Sequence, residues 1–328
     1  MNAQAIIDAT RSFVSQQYTV DSALSYFKNL LDDFDTTIHN PLYSVTWGRD
    51  ISIRQATFAV ESTSFNRSSF AVAGTQSAIG KTWHSAGGGT IQGVDVNGEF
   101  IITPLHVGAL QASYTEIELM RSQTIGQPLD MQKFEVVRTS YNMQVDEQVY
   151  IGDTEKAVTG LVNSAQIPTA GVANGASASP LWVNKTPAEI LRDVNDILQA
   201  AWDASGNTAV PTDLRLPPAQ FGYISTQTIS SAGSVSILEY LKNNSLSNTV
   251  NGQPLNIQPL KWLAGRGAGG TNRMVAYTND PRFLRFPMVP IESKPTEYSL
   301  LSYITPFVWA LGSIEFIYPE TVLYRDGI

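Results

Sequence analysis

Apolar positions follow a helical period most persistently between Pro128 and Gly152. Phe134, Val137, Tyr141, Val145 and Val149 recur at intervals of three and four, which stacks them on one helical face. Leu129, Val136, Met143 and Tyr150 form a second stripe at every seventh residue, so the apolar arc is wide. Pro128 suits a first turn, where its missing N–H costs nothing, and Gly152 is a natural stop. The pattern predicts a helix over 128–151, roughly 35 Å long at 1.5 Å per residue, as a spine for the strands on either side. Lys133, Glu135, Arg138, Asp146 and Glu147 lie between the stripes without the spacing of a metal or acid–base site, and read as structural.

The remaining pattern is more broken. Behind Asp21 as an N-cap, Leu24, Phe27, Leu31 and Phe34 share a helical face that Pro41 closes. From Ser44 the chain alternates, with Ile51, Ile53, Ala56, Phe58 and Val60 marking strand-like stretches. NRSSFAVAGTQSAIGKTWHSAGGGT then has little to bury and predicts a long, flexible strand hairpin projecting from the body, ending at Gly87–Gly89. Asn97-Gly98 is placed for a type I′ hairpin turn. Residues 160–182 read as a Gly/Ala/Ser loop. Thr186-Pro187-Ala188-Glu189 is a capping box with proline in the first turn. Ile190, Val194, Ile197, Leu198 and Ala201 continue that helix inward, with Asp193 and Asp196 on its polar side. FGYIS, LNIQPLKWLAG and NRMVAYTND read as strands, SILEYLKNN as a short helix, and 286–328 as a strand-rich tail. The result is an α+β body with no regular βαβ period and no solenoid repeat.

Composition changes this picture in one respect. Charged residues make up 15% of the 328, against about 25% in ordinary soluble domains, which points to surface hidden between chains. The net charge of −8 argues against a sequence-independent grip on nucleic acid, because phosphate neutralisation needs clustered Lys and Arg. The absence of cysteine removes disulfides, thiol nucleophiles and Cys-ligated zinc, and suits a reducing cytoplasm. The N-terminus lacks a signal-peptide pattern and no window reaches ~18 apolar residues, so a cytoplasmic protein without a membrane span is expected.

Candidate chemistry is sparse. Gly265–Gly270 satisfies G-x-G-x-x-G, yet a strand-like segment follows where a phosphate loop needs a helix, so a hairpin loop is the better reading. His39, His84 and His106 have no second His or carboxylate at metal-binding spacing. No G-x-S-x-G elbow occurs, although a triad assembled only in space stays open. Asp95–Gly98 lacks the further ligands of a calcium loop, and Asp32, Asp33 and Asp35 most simply cap a helix end. No catalytic residue, cofactor or metal is expected.

The order of segments resembles tailed-bacteriophage major capsid proteins of the Hong Kong 97-type fold. It is carried by VVRTSYNMQVDEQVYIGDTEKAVTGLVN, TPAEILRDVNDILQAAWDASG, NDPRFLRFPMVP and ETVLYRDGI. The resemblance implies an N-terminal arm over 1–45, an extended loop over 46–98, and a peripheral domain of 99–159 and 286–328 around the spine helix 128–151. It places an apical domain at 160–285. It also implies inter-subunit contacts, for which Trp47, Arg54, Phe58, Phe65, Phe70, Lys81, Trp83 and Arg266 are the candidates. Lys81 is the one lysine placed for a covalent link between subunits, although no Asn or catalytic carboxylate can be matched to it. The implied function is a non-enzymatic shell subunit that self-assembles as pentamers and hexamers around double-stranded DNA. A separate scaffolding protein, a portal and decoration proteins are the implied partners, with assembly in the host cytoplasm and residence in the virion. Removal of residues 62–90 should leave a folded but assembly-defective subunit. An encapsulin-type shell enclosing cargo enzymes, or an enzyme or glycan-binding module, are the competing readings.

Overall fold

The computed structural model describes residues 43–72, 94–125, 129–229 and 235–328. The helices expected before Pro41, the Asp32–Asp35 cluster, His39, Lys81, Trp83, His84, Gly87–Gly89 and Pro128 lie outside the described residues.

The chain enters through one helical turn, α1 (Trp47–Asp50), and a short strand, β1 (Ile53–Gln55). Strands β2 (Ser62–Val72) and β3 (Val94–Pro104) then form an antiparallel ladder of their own, from Ser62 opposite Pro104 to Val72 opposite Val94. The expected turn at Asn97-Gly98 is absent. Both residues sit within β3, opposite Ser69 and Ser68, so the alternating partner strand outweighs the local turn preference. The returning strand therefore runs to Pro104.

Next come β4 (His106–Thr115), α2 (Glu116–Ile125) and the spine, α3 (Leu129–Tyr150). Val137, Tyr141, Val145 and Val149 are buried as their spacing predicts. Tyr141 meets the Trp309 ring edge-on at 5.4 Å, and Phe134 meets Phe307 at the same distance. The second stripe divides: Tyr150 is fully buried, while Val136 and Met143 are exposed. The sheet covers only one side of the helix, so the apolar arc exceeds what the subunit itself buries.

The spine ends in a close-packed hairpin of β5 (Gly152–Asp153) and β6 (Val158–Thr159). Gly152 adopts φ +77°, and a Cβ on Gly160 would lie 2.2 Å from the Tyr150 carbonyl, so neither position accepts a side chain without displacing backbone. Asn163 closes the turn by accepting from Gly160 N and donating to Ile151 O. The loop that follows is less open than its composition suggests, since Leu161, Val162 and Ile167 are buried.

Beyond it lie β7 (Thr169–Gly171), α4 (Pro187–Ala204), β8 (Asp213–Leu216), α5 (Pro218–Thr226), α6 (Ile237–Asn244), α7 (Leu246–Asn251), β9 (Asn256–Pro259) and β10 (Arg273–Tyr277). The capping box forms as expected: Thr186 Oγ1 accepts from Glu189 N, and Glu189 returns an acceptor to Thr186 N. FGYIS, expected as a strand, lies in α5, because Pro218 starts a helix there. The strand is the preceding DLRL. LNIQPLKWLAG is a strand only to Pro259, and Lys261–Leu263 is a 3₁₀ turn.

The tail supplies β11 (Leu284–Ser293), β12 (Glu297–Ser299), β13 (Ser302–Leu311), β14 (Glu315–Phe316) and β15 (Leu323–Asp326). One sheet runs β1-β11-β13-β12, with β14 on β11 and β4 on β13; the other runs β7-β15-β10-β8-β9. The tail is thus not confined to one sheet, since β15 pairs with β10 in the second. Along β10 the side chains alternate between two cores. Met274 and Ala276 pack with Ile190, Val194, Ile197 and Leu198 of α4, and Val275 and Tyr277 join the spine core. Each fully buried aliphatic chain stabilises by about 1.5–3 kcal/mol, so β10 welds the two halves. Among the described residues no helix is long and apolar enough to cross a membrane.

Candidate functional site

Three buried ionic clusters bind α1, the spine and the two sheets together, and the third of them also grips the root of the β2–β3 hairpin. In the first, the fully buried Asp50 receives Arg215 Nε at 2.9 Å, Arg49 Nε at 2.6 Å and the Tyr150 hydroxyl at 2.5 Å. Arg215, also fully buried, donates to Asp213 at 2.8 Å and to Asn256 O at 2.9 Å, and lies over the Tyr277 ring. Tyr277 donates its hydroxyl to Asp50 O. Burial pushes the Tyr150 hydroxyl far above its ordinary range, with the Asp50 charge adding to it, and burial raises Tyr277 similarly. This cluster ties α1 to the spine and to the second sheet.

The second cluster centres on Asp146 of the spine. Its buried carboxylate accepts from Thr46 N, Trp47 N and Trp262 Nε1, with Lys261 Nζ at 3.3 Å. Lys261 lies over the Tyr43 ring at 3.7 Å. The third is Glu315, which accepts from Thr63 Oγ1 at 2.7 Å, Arg54 Nη1 at 3.0 Å and Arg285 Nε at 2.5 Å. Arg54 also reaches Ser64 O, so this clamp grips β2 where the hairpin leaves the body.

Away from the base, the hairpin presents an apolar face. Val94, Val96, Phe100 and Ile102 alternate along β3 and are 59–67% exposed. Further exposed apolar residues are Ile117 and Met120 on α2, and Leu300 and Leu301, which occupy the β12–β13 turn at positive φ.

Six of the contact candidates lie among the described residues. Trp47 packs on the spine core and Arg54 is held by Glu315, so both have partners inside the subunit. Phe58 is exposed beneath Lys294. Phe65 is half-buried opposite Ile101, Phe70 lies in β2 opposite Val96, and Arg266 is exposed in the glycine loop. That loop uses its own amides: Gly265 N reaches Asn272, Gly267 N reaches Thr271 O and Ala268 N reaches Asp326. With β10 following it, the segment is a connecting loop and not a phosphate cradle.

Asp193, expected on the polar side of α4, is buried, receiving Lys185 Nζ at 2.5 Å and Trp182 Nε1 at 3.2 Å. Burial pushes its carboxyl above the ordinary range. His106 lines a cavity of about 490 Å³ with Gln144, Glu147, Gln148 and Trp309. Its buried Nε2 has no hydrogen-bond partner among the described residues. No group of three metal-ligating side chains occurs among the described residues.

A family model of major capsid proteins matches residues 80–328. Among solved structures, the capsid of Myoviridae phage XM1 superposes with a TM-score of 0.74 at 17% identity, covering 96% of this chain and 100% of that one. The capsid of a native GTA particle gives a TM-score of 0.61 at 12% identity, over 94% and 99% of the two chains. A chain of Microbacterium phage Oxtober96 gives 0.60 at 12% identity, with the same coverage. No curated protein sequence matches. The mixed helix-and-sheet architecture is therefore the Hong Kong 97-type fold. With three-quarters of its length matched by that family model, the chain belongs to the major capsid protein family, and its role is structural.

Proposed function

We propose that this chain is the shell subunit of a tailed-phage head, assembling as pentamers and hexamers into an icosahedral container for double-stranded DNA. The observation that carries this is the β2–β3 hairpin. It is anchored at its root by Glu315, yet it exposes Val94, Val96, Phe100 and Ile102 on one face. A solitary two-stranded ribbon is marginal by itself. Covering four such side chains with a neighbouring subunit contributes roughly 4–7 kcal/mol per contact before the cost of association. The exposed spine residues Val136 and Met143 offer a matching apolar surface.

In this reading residues 1–45 are the arm and the extended loop runs from 46 through the observed end of β3. The spine and first sheet form the peripheral domain, and 160–285 with β15 form the apical domain. The net charge of −8 suits a wall that holds DNA without sequence-specific binding. Scaffolding, portal and decoration proteins would be separate partners met in the host cytoplasm. The match to major capsid proteins favours a genome container over a cargo-enclosing encapsulin. The test is negative-stain electron microscopy of the chain expressed with its neighbouring genes. Closed shells, or rings of five and six, are expected; a subunit that stays monomeric in every combination would overturn the proposal.

A further inference from the structure

The cavity beside His106 is built by one subunit where three elements meet: the start of β4, the end of the spine and the β5–β6 hairpin. It measures about 490 Å³, and Trp309 and Leu311 of β13 complete its lining. The Trp309 indole lies across Gly108, where a Cβ would come within 2.5 Å of Nε1, so only glycine leaves the ring room in the wall. Ile151 adds aliphatic surface.

The polar lining is unbalanced. Glu147, Asp153 and Glu155 share it with one cation, Lys156. The side chains of Glu147, on the spine, and of Glu155 and Lys156, in the hairpin turn, form no hydrogen bond or ion pair among the described residues. In the same half Asp50, Asp146 and Glu315 have each gathered several donors, so free carboxylates bordering a cavity are the exception here. Further acceptors stand beside them. His106 Nε2 is buried without a partner among the described residues. Even-numbered residues of β4 exchange bonds with β13, as Glu116 N to Leu301 O shows in the same register. Val107, which also lines the cavity, therefore turns its C=O away from β13.

We propose that this cavity binds a linear aliphatic polyamine, one ammonium group at Glu147 and another at Glu155, with the carbon chain between them against Trp309 and Ile151. The chemistry of the lining selects the ligand. Anionic oxygens and bare acceptors ask for positive charge carried on several N–H donors, and an indole beside aliphatic surface suits methylenes and a cation. No group of three metal-ligating side chains occurs among the described residues, so the carboxylates do not converge on a single bare ion. Separated ammonium groups fit them instead. A lysine side chain of another protein offers the same alkylammonium chemistry with a single charge. Three carboxylates against Lys156 leave two negative charges, which a diamine neutralises and one lysine does not. The site belongs to one chain, so it stands apart from the assembly reading and can be read on unassembled subunits.

Calorimetric titration of the purified full chain with spermidine and with putrescine tests this. Both should bind at one site per chain. Glu147→Gln or Glu155→Gln should weaken each by about tenfold, whereas Glu239→Gln, on α6 in the second half, leaves the affinity unchanged. The chain holds three histidines, and the ring resonance that His106→Asn removes from the NMR spectrum should move on titration of the parent. N-acetyl-lysine amide, with one ammonium, should bind at least about tenfold more weakly than putrescine. Magnesium chloride at matched ionic strength should not displace either amine. Absence of saturable binding by the parental chain, unchanged affinity in both Gln variants, or a static His106 resonance overturns the site. Equal affinity for the lysine amide assigns the cavity to another protein's lysine and overturns the polyamine. Displacement by magnesium reduces the binding to a diffuse counterion cloud and overturns it as well.

Discussion

Arg215→Met is the sharpest test of how the two halves are joined. Methionine keeps much of the volume of a side chain that is fully buried, so the change removes charge more than packing. Removing one partner from a buried ion pair costs about 3–5 kcal/mol, because the other charge stays desolvated. Two features set the value here. Asp50 retains Arg49 and the Tyr150 hydroxyl, and Asp213 retains Thr212 and Asn256, which argues for the low end. Loss of the Asn256 O bond and of the stack on Tyr277 adds to the cost. We expect about 3 kcal/mol, which moves a urea midpoint down by roughly 1 M at the slopes usual for domains of this size. Because the cluster is dry, the loss should be similar at low and high salt. Replacing Asp50 and Asp213 by Asn in the same chain should recover more than half of it. A loss below about 1 kcal/mol, or one that vanishes in salt, would show that this cluster does not hold the halves together.

Glu315→Ala leaves Arg54 and Arg285 without their carboxylate and should cost about 3 kcal/mol, with amide exchange accelerating first at Thr63 and Ser64; uniform acceleration across both sheets would contradict a local clamp. Alkaline unfolding should set in as pH rises above the ordinary tyrosine value of 10, since buried hydroxyls of Tyr150, Tyr277 and Tyr324 stay protonated when folded and ionise when unfolded. Their stabilisation is complete below pH 10 and is lost above it, and Tyr150→Phe should flatten that loss in a pH titration of the melting temperature. Gly160→Ala should cost several kcal/mol, because its Cβ meets the Tyr150 carbonyl and not a movable side chain; a melting temperature within a degree or two of the parent would refute the close approach.

Where the sequence was legible, a local pattern agreed with the tertiary environment. The Val137–Val149 stripe and the Thr186 capping box each carry their own signal within one helix. The β8 strand was hidden because DLRL places Asp213 and Arg215 on one strand face, where Arg215 meets Asp50, 165 residues earlier, and a charged alternation does not read as a buried strand. Asp146 and Glu315 were opaque for the same reason: a buried carboxylate is recognisable only through distant partners. Asn97-Gly98 failed in the other direction, as a strong turn dipeptide absorbed into a ladder by eleven residues of facing strand. The one sequence signal for the clusters was the low overall charge, which made each acid or base set among apolar residues more informative than it looked. Gly152 was legible as a helix stop, but the need for glycine at 160 comes from the packing of a hairpin on the last turn of the spine, which no local pattern announces.

The central claim is that the β2–β3 hairpin joins one subunit to the next. A deletion of 62–90 would strand β3, so the direct measurement compares the full chain with one in which residues 64–102 are replaced by a short Gly/Ser turn. Both would be followed by sedimentation velocity and circular dichroism, each expressed with the neighbouring genes. The account predicts shells from the full chain and a folded, non-assembling subunit from the deletion. Shells of normal size and yield from the deleted chain would contradict it.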